Sequence, residues 1–145
     1  MKAVIQKVKR ATLYSEGEKY SEIKSGIVIL LGVNEKDNSI TANKMADKIL
    51  KLRIFDDEND KTNWDIFQAK GEIMLVSNFT LYGSFKGCNR PDFFTAAKPE
   101  LAEPLYMEVF EKLKSQVHTV SGAFRTYMEI EMVADGPGTY IVEID

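Results

Sequence analysis

The sequence predicts a mixed α+β fold dominated by antiparallel strands, with two helices available to cover a sheet. Three observations predict it. Apolar and polar residues alternate with period two at both ends of the chain, in AVIQKVKRATL (3–13) and again in Thr126–Val133 and Thr139–Ile144. Two interior segments instead repeat apolar residues at three- and four-residue spacing, the mark of an amphipathic helix. Clusters of Gly, Pro and acidic residues punctuate the rest.

Taken in order, the first strand ends at the turn signal Glu16-Gly17-Glu18, and Lys19–Ile23 reads as a short return strand. After Gly26, Ile27–Val33 is apolar and rich in branched residues, as suits a central strand covered on both faces. Asn34–Ser39 is a polar loop with good N-cap residues. From Ile40 to Arg53, Met45, Ala46, Ile49, Leu50 and Leu52 fall on one helical face and the lysines on the other. Trp64–Phe67 is expected to pair with Glu72–Thr80 through Ala69-Lys70-Gly71. Pro99 marks the first turn of a second helix, with Leu101, Leu105, Val109 and Leu113 at four-residue intervals. Pro104 requires either that this helix start there or that it kink. Ala134-Asp135-Gly136-Pro137-Gly138 separates the last two strands and reads as a tight turn.

The 145 residues are expected to form one domain, 1–145, able to bury roughly 70% of the unfolded surface. The longest apolar run, Ile27–Leu31, is far below the roughly 20 residues of a membrane-spanning helix. No secretory signal is read in the N-terminal segment, and the single cysteine, Cys88, permits no internal disulfide, which fits a reducing cytoplasm. The net charge of −3 argues against a large nucleic-acid footprint. Small basic groups remain: Lys2, Lys7, Lys9 and Arg10; Lys44, Lys48, Lys51 and Arg53; and Lys86 with Arg90. The acidic run Asp56–Asp60 lacks the glycine and distal glutamate of a calcium loop and reads as a solvated turn.

Familiar catalytic machinery is missing. No phosphate-binding glycine loop, dinucleotide fingerprint or metal-spaced His or Cys pair occurs, so neither metal nor cofactor is expected. The only imidazole, His118, sits in the polar exit of the second helix. A hydrolase built on this chain would have to rely on backbone donors or on groups of its substrate. Two stretches stand out. Ser77-Asn78-Phe79-Thr80-Leu81-Tyr82-Gly83 ends a buried strand in hydroxyls and an amide, as local backbone partners or as the lining of a site. On a regular strand Ser77 and Thr80 point to opposite faces, so they meet only if the strand bends or ends. Asp135-Gly136-Pro137-Gly138-Thr139 either turns the chain or presents carbonyls at a fixed angle.

SNFTL and DGPGT, with MKAVIQKV, LGV, ADKILKLRIFDDE, FKGCNRPDF and AAKPELAEPLY in the same order, resemble the D-aminoacyl-tRNA deacylases over essentially the whole chain. The resemblance implies a homodimer of β-barrel-like subunits with helices packed on the sheet. It also implies hydrolysis of the ester between a D-amino acid and the terminal adenosine of tRNA, and action on glycyl-tRNA. Ser77, Asn78, Phe79 and Thr80 then fall at the catalytic motif. Gly136 and Pro137 fall at a cis motif that enters the partner's pocket, meets the amino group and excludes L side chains. Lys7 and Met128 fall at substrate-side positions, and since only the acceptor end needs holding, a few phosphate contacts by Lys86, Arg90 or the N-terminal basic residues would suffice. For Thr80 the resemblance leaves two roles: nucleophile, or member of a turn whose backbone N–H groups and the RNA 2'-hydroxyl do the work. This chain departs from the family in having Asn78 for glutamine, Lys7 for arginine and Gly138 for valine.

Overall fold

A computed structural model describes residues 1–145. The strands are β1 (Lys2–Ser15), β2 (Glu18–Ile23), β3 (Gly26–Gly32), β4 (Phe55–Asp56), β5 (Thr62–Trp64), β6 (Glu72–Ser77), β7 (Thr119–Ser121) and β8 (Met128–Glu143), and the helices are α1 (Ser39–Leu50) and α2 (Pro99–Lys114). The main sheet runs β2-β1-β3-β6-β7, with β8 along the other side of β1. β1 pairs antiparallel with β2, β3 and β8, whereas β6 lies parallel to both β3 and β7. Parallel neighbours need a crossover, and here α1 lies in the connection into β6 and α2 in the one leaving it. β2 swings across to β7, where Ser21 Oγ donates to the Ser121 carbonyl at 3.0 Å, so the sheet nearly closes into a barrel.

Two apolar layers follow from strand alternation. Ala3, Ile5, Ile27, Ile29, Leu31, Ile73 and Leu75 face the helices and meet Met45, Ile49, Tyr106, Val109 and Leu113. Val8, Ala11, Leu13, Val28, Met74 and Val76 fill the barrel side. β3 is thus buried on both faces, as its unbroken apolar run predicts. On β1, register irregularities around Val8 move the odd-numbered Ala11 and Leu13 to the face opposite Ala3 and Ile5.

Asn38 caps α1: its Oδ1 accepts the N–H groups of Ile40 and Thr41 at 2.9 and 3.2 Å. α1 stops at Leu50, short of the predicted Arg53, whose Nε donates to the Asn63 carbonyl at 2.8 Å. α2 begins at Pro99 and runs through Pro104, which lies on the solvent face, where water can take the carbonyl its missing N–H leaves free.

Two expectations are corrected. Trp64–Phe67 does not pair with β6; β5 pairs with β4, and Asp65 Oδ1 accepts the N–H groups of Phe67 and Gln68, bending that stretch into a turn. The acidic run closes the small β4–β5 hairpin, with Asp57 accepting from Asn59 and Lys61. The tail is not two strands joined by a turn but one strand, β8, that runs past the Gly-Pro step. Gln6 pairs with Thr139 and Val8 with Ala134, so the four residues Asp135–Gly138 stand opposite Lys7 alone and are extruded as a bulge. The Gly136–Pro137 peptide bond is cis.

Candidate active site

β6 ends at Ser77, and the chain turns at once into a 3-10 turn, Phe79–Tyr82, over the end of β3. Gly32 permits this approach, because a Cβ there would lie 3.1 Å from the Asn78 carbonyl oxygen and from Leu81 Cβ. Asn78 is the N-cap: its Oδ1 accepts the Thr80 N–H at 3.2 Å and also the Thr80 hydroxyl. Asn78 N–H is tied to the Leu31 carbonyl at 2.8 Å. Phe79 N–H, first in the turn, makes no hydrogen bond within the chain, as expected at the first helical position.

Beside this turn lies a cleft of about 620 Å³. One wall is Ser77, Asn78 and Phe79; a second is Phe93, Ala96 and the start of α2; the third is the Phe124–Thr126 loop with Met128. Phe79 and Phe93 meet edge to face at 4.9 Å. Lys98 and Arg125 are the ionisable groups of the lining, which contains no carboxylate.

The other sequence-predicted residues lie elsewhere. Thr80 is exposed at the rim, and Lys86 and Arg90 are exposed on the adjoining Ser84–Asp92 loop. His118 belongs to the far end of β6, where its carbonyl accepts the Ile73 N–H, about 13 Å along the strand from Ser77. Lys7 is buried beneath the bulge. Its Nζ is 3.7 Å from Asp56 Oδ2, and a Cβ on Gly138 would come within 2.8 Å of its Cδ. Gln6 braces the same bulge, its Nε2 donating to the Gly138 carbonyl at 3.2 Å. Gly136 and Pro137 are not in the cleft of their own chain. They lie eight residues along β8 from Met128, on the order of 25 Å in an extended strand.

Sequence reasoning missed Lys98, Arg125, Phe93 and Phe124. They stand on loops that only the folded chain gathers. Arg125 carried no local signal, although its backbone is left-handed (φ 60°), a conformation that favours glycine.

Comparison with known proteins identifies the relatives of this chain. The family model described as D-Tyr-tRNA(Tyr) deacylase matches residues 4–143. A protein from Symbiobacterium thermophilum named D-aminoacyl-tRNA deacylase is 43% identical over 99% of this chain and 95% of its own length. Another so named, from Clostridioides difficile, is 42% identical over 99% of this chain and 97% of its own. Among solved structures, one titled c-Myc DNA Unwinding Element Binding Protein superposes with a TM-score of 0.93 at 39% identity, covering 99% of this chain and 98% of that one. A probable eukaryotic D-amino acid tRNA deacylase shares the fold at a TM-score of 0.83 and 14% identity, over 97% of each chain. The protein is therefore a hydrolase acting on the ester bond of charged tRNA. It belongs to the D-aminoacyl-tRNA deacylase family.

Proposed function

We propose that the chain acts in the cytoplasm as a homodimer that proofreads charged tRNA. It hydrolyses D-aminoacyl-tRNA, and glycyl-tRNA mischarged on non-cognate tRNA, to free amino acid and tRNA, and it needs no metal or cofactor. The observation that carries this reading is the free N–H of Phe79, in the turn that walls a cleft lined by no carboxylate or imidazole. As water attacks the ester carbonyl, negative charge grows on the carbonyl oxygen, and a fixed backbone donor stabilises it by several kcal/mol once the bound substrate and the second copy exclude bulk water from the cleft. Thr80 N–H, held by Asn78, is the second donor once substrate displaces that contact. The ribose 2'-hydroxyl of the RNA assists proton transfer as the carbonyl–oxygen bond breaks and the ribose oxygen takes the proton.

Thr80 is a poor nucleophile in this arrangement, since its proton points at an amide oxygen that has no useful basicity. Chiral selection is assigned to Gly136 and Pro137 of the second copy. Two features support this: the distance of each chain's own bulge from its own cleft, and the open outer edge of β8, whose one neighbour is β1. The edge also exposes Ile141 and Met132, apolar groups suited to an interface between copies. Lys7 and Gln6 hold the bulge from below. Met128 and the cleft aromatics receive the terminal nucleoside, and Lys86 and Arg90 meet phosphates farther out.

The test is release of amino acid from D-tyrosyl-tRNA and L-tyrosyl-tRNA side by side. Rapid release from the D ester with the L ester spared is expected. Rates equal to buffer for both would overturn the reading and leave a nucleic-acid binding protein without turnover. The name carried by the solved relative at 39% identity gives that second reading its standing.

A further inference from the structure

The cleft reverses the charge balance of the molecule. The chain carries 22 acidic against 19 basic residues, yet the cleft presents Lys98 and Arg125 and no carboxylate. Neither cation is engaged in an ion pair. Both are exposed, and they stand on separate elements: Lys98 at the residue before α2, Arg125 on the loop before β8. Arg125 keeps its place in the left-handed region at φ 60°, where a glycine would be free of steric cost.

Between the cations the lining is aromatic and apolar: Phe79, Phe93, Phe124 and Met128. A flat apolar group joined to an anion fits such a lining, and a terminal nucleotide is one. We infer that Arg125 and Lys98 clamp the phosphodiester on the 5' side of the terminal nucleoside. They thereby fix how far the RNA end enters the cleft and set the ester against Phe79 N–H. A guanidinium is the better half of the clamp, because its planar fork matches two phosphate oxygens. This inference rests on the cleft being the aminoacyl-end site, and it adds the anchor that makes the substrate a polynucleotide rather than a free aminoacyl ester.

Three substrates or ligands separate the two ideas: D-tyrosyl-tRNA, the D-tyrosyl ester of adenosine, which carries no phosphate, and uncharged tRNA. The variant is Arg125→Gly, whose backbone suits φ 60° and so preserves the fold. Lys98→Ser removes the second cation and supplies a helix-capping hydroxyl, so α2 is not put at risk. For Arg125→Gly we expect KM on D-tyrosyl-tRNA to rise about tenfold at low salt, with kcat held within about twofold. The defect should collapse to about twofold or less on the adenosine ester. Uncharged tRNA should bind about tenfold more weakly, with the slope of log affinity against log salt reduced by about 0.7. Unaltered KM and tRNA affinity would overturn the clamp, as would an equal defect on the adenosine ester. If the wild-type protein hydrolyses neither ester, the deacylase reading fails, while the uncharged-tRNA affinities still decide the phosphate contact.

Discussion

The side-chain oxygen of Asn78 accepts both the backbone N–H and the hydroxyl of Thr80. One short amide thus shapes the turn and occupies the hydroxyl that would otherwise be the natural nucleophile. Thr80→Val, which removes the hydroxyl but keeps the side chain's shape, should retain kcat within about fivefold on D-tyrosyl-tRNA, since the backbone donors remain. Steady-state kinetics on a variant with unchanged circular dichroism decides this; a loss of a thousandfold would reinstate Thr80 as nucleophile.

The Phe79 N–H can be removed without rebuilding the turn. Proline suits the first position of a helical turn, and Asn78 before it is already extended (φ −145°, ψ 91°). Phe79→Pro should lower kcat by about a hundredfold or more, the usual effect of losing one oxyanion donor. Phe79→Ala keeps the donor and loses the ring, so its effect should fall chiefly on KM. Equal kcat in the two variants would remove the Phe79 amide from the mechanism.

Tyr106 joins α2 to the strand that delivers the site, its buried hydroxyl donating to the Leu75 carbonyl at 2.7 Å. Burial drives the phenol's pKa upward, so it stays protonated and donating. Tyr106→Phe should cost about 1 kcal/mol, the net value of one hydrogen bond. The larger penalty for an orphaned acceptor is not expected, because Leu75 O also accepts the Gly122 N–H at 2.9 Å. Urea unfolding should show a lower midpoint at an unchanged slope.

Asp47 and Lys112 tie α1 to α2, with Nζ to Oδ1 at 2.7 Å. The hydrogen bond from Lys112 holds the Asp47 pKa below its ordinary 3.8. A carboxylate lowered on folding stabilises the protein above its unfolded pKa and loses that contribution as pH falls through the lowered value. The difference in Tm between wild type and Asp47→Asn should therefore be small at neutral pH, shrink with salt because the pair is exposed, and vanish in strong acid. A difference that grows on acidification would refute this sign.

Much of the fold was legible in local pattern. β3 and α1 announce themselves because burial on two faces or on one stripe leaves a periodic trace, and Asn38 marks where α1 begins. Glycine beside proline, by contrast, signals only a departure from regular backbone. Whether Asp135–Gly138 reverses the chain or bulges from it depends on β1, more than 120 residues away in sequence, which continues past as a template. The same limit applied to the site. SNFTL stood out as a contiguous stretch with an unusual polar ending, whereas Arg125, Lys98 and Phe93 join it from separate loops. Trp64–Phe67 was misread because Asp65 takes two backbone N–H groups that a strand would have used.

The central claim, a cleft of one copy completed by the bulge of another, is tested most directly by mixing two defective chains. One carries Phe79→Pro; in the other a single serine replaces residues 135–138, restoring one-to-one pairing opposite Lys7. Each alone should be nearly inactive on D-tyrosyl-tRNA, the first for want of its oxyanion donor and the second for want of the Gly136-Pro137 carbonyls that hold the substrate's amino group. Co-expressed in equal amounts, they should recover about a quarter of wild-type activity, from the one intact site in each statistically formed mixed dimer. Mixed dimers demonstrated by mass spectrometry yet without recovered activity, or a wild-type chain fully active as a monomer, would contradict the account.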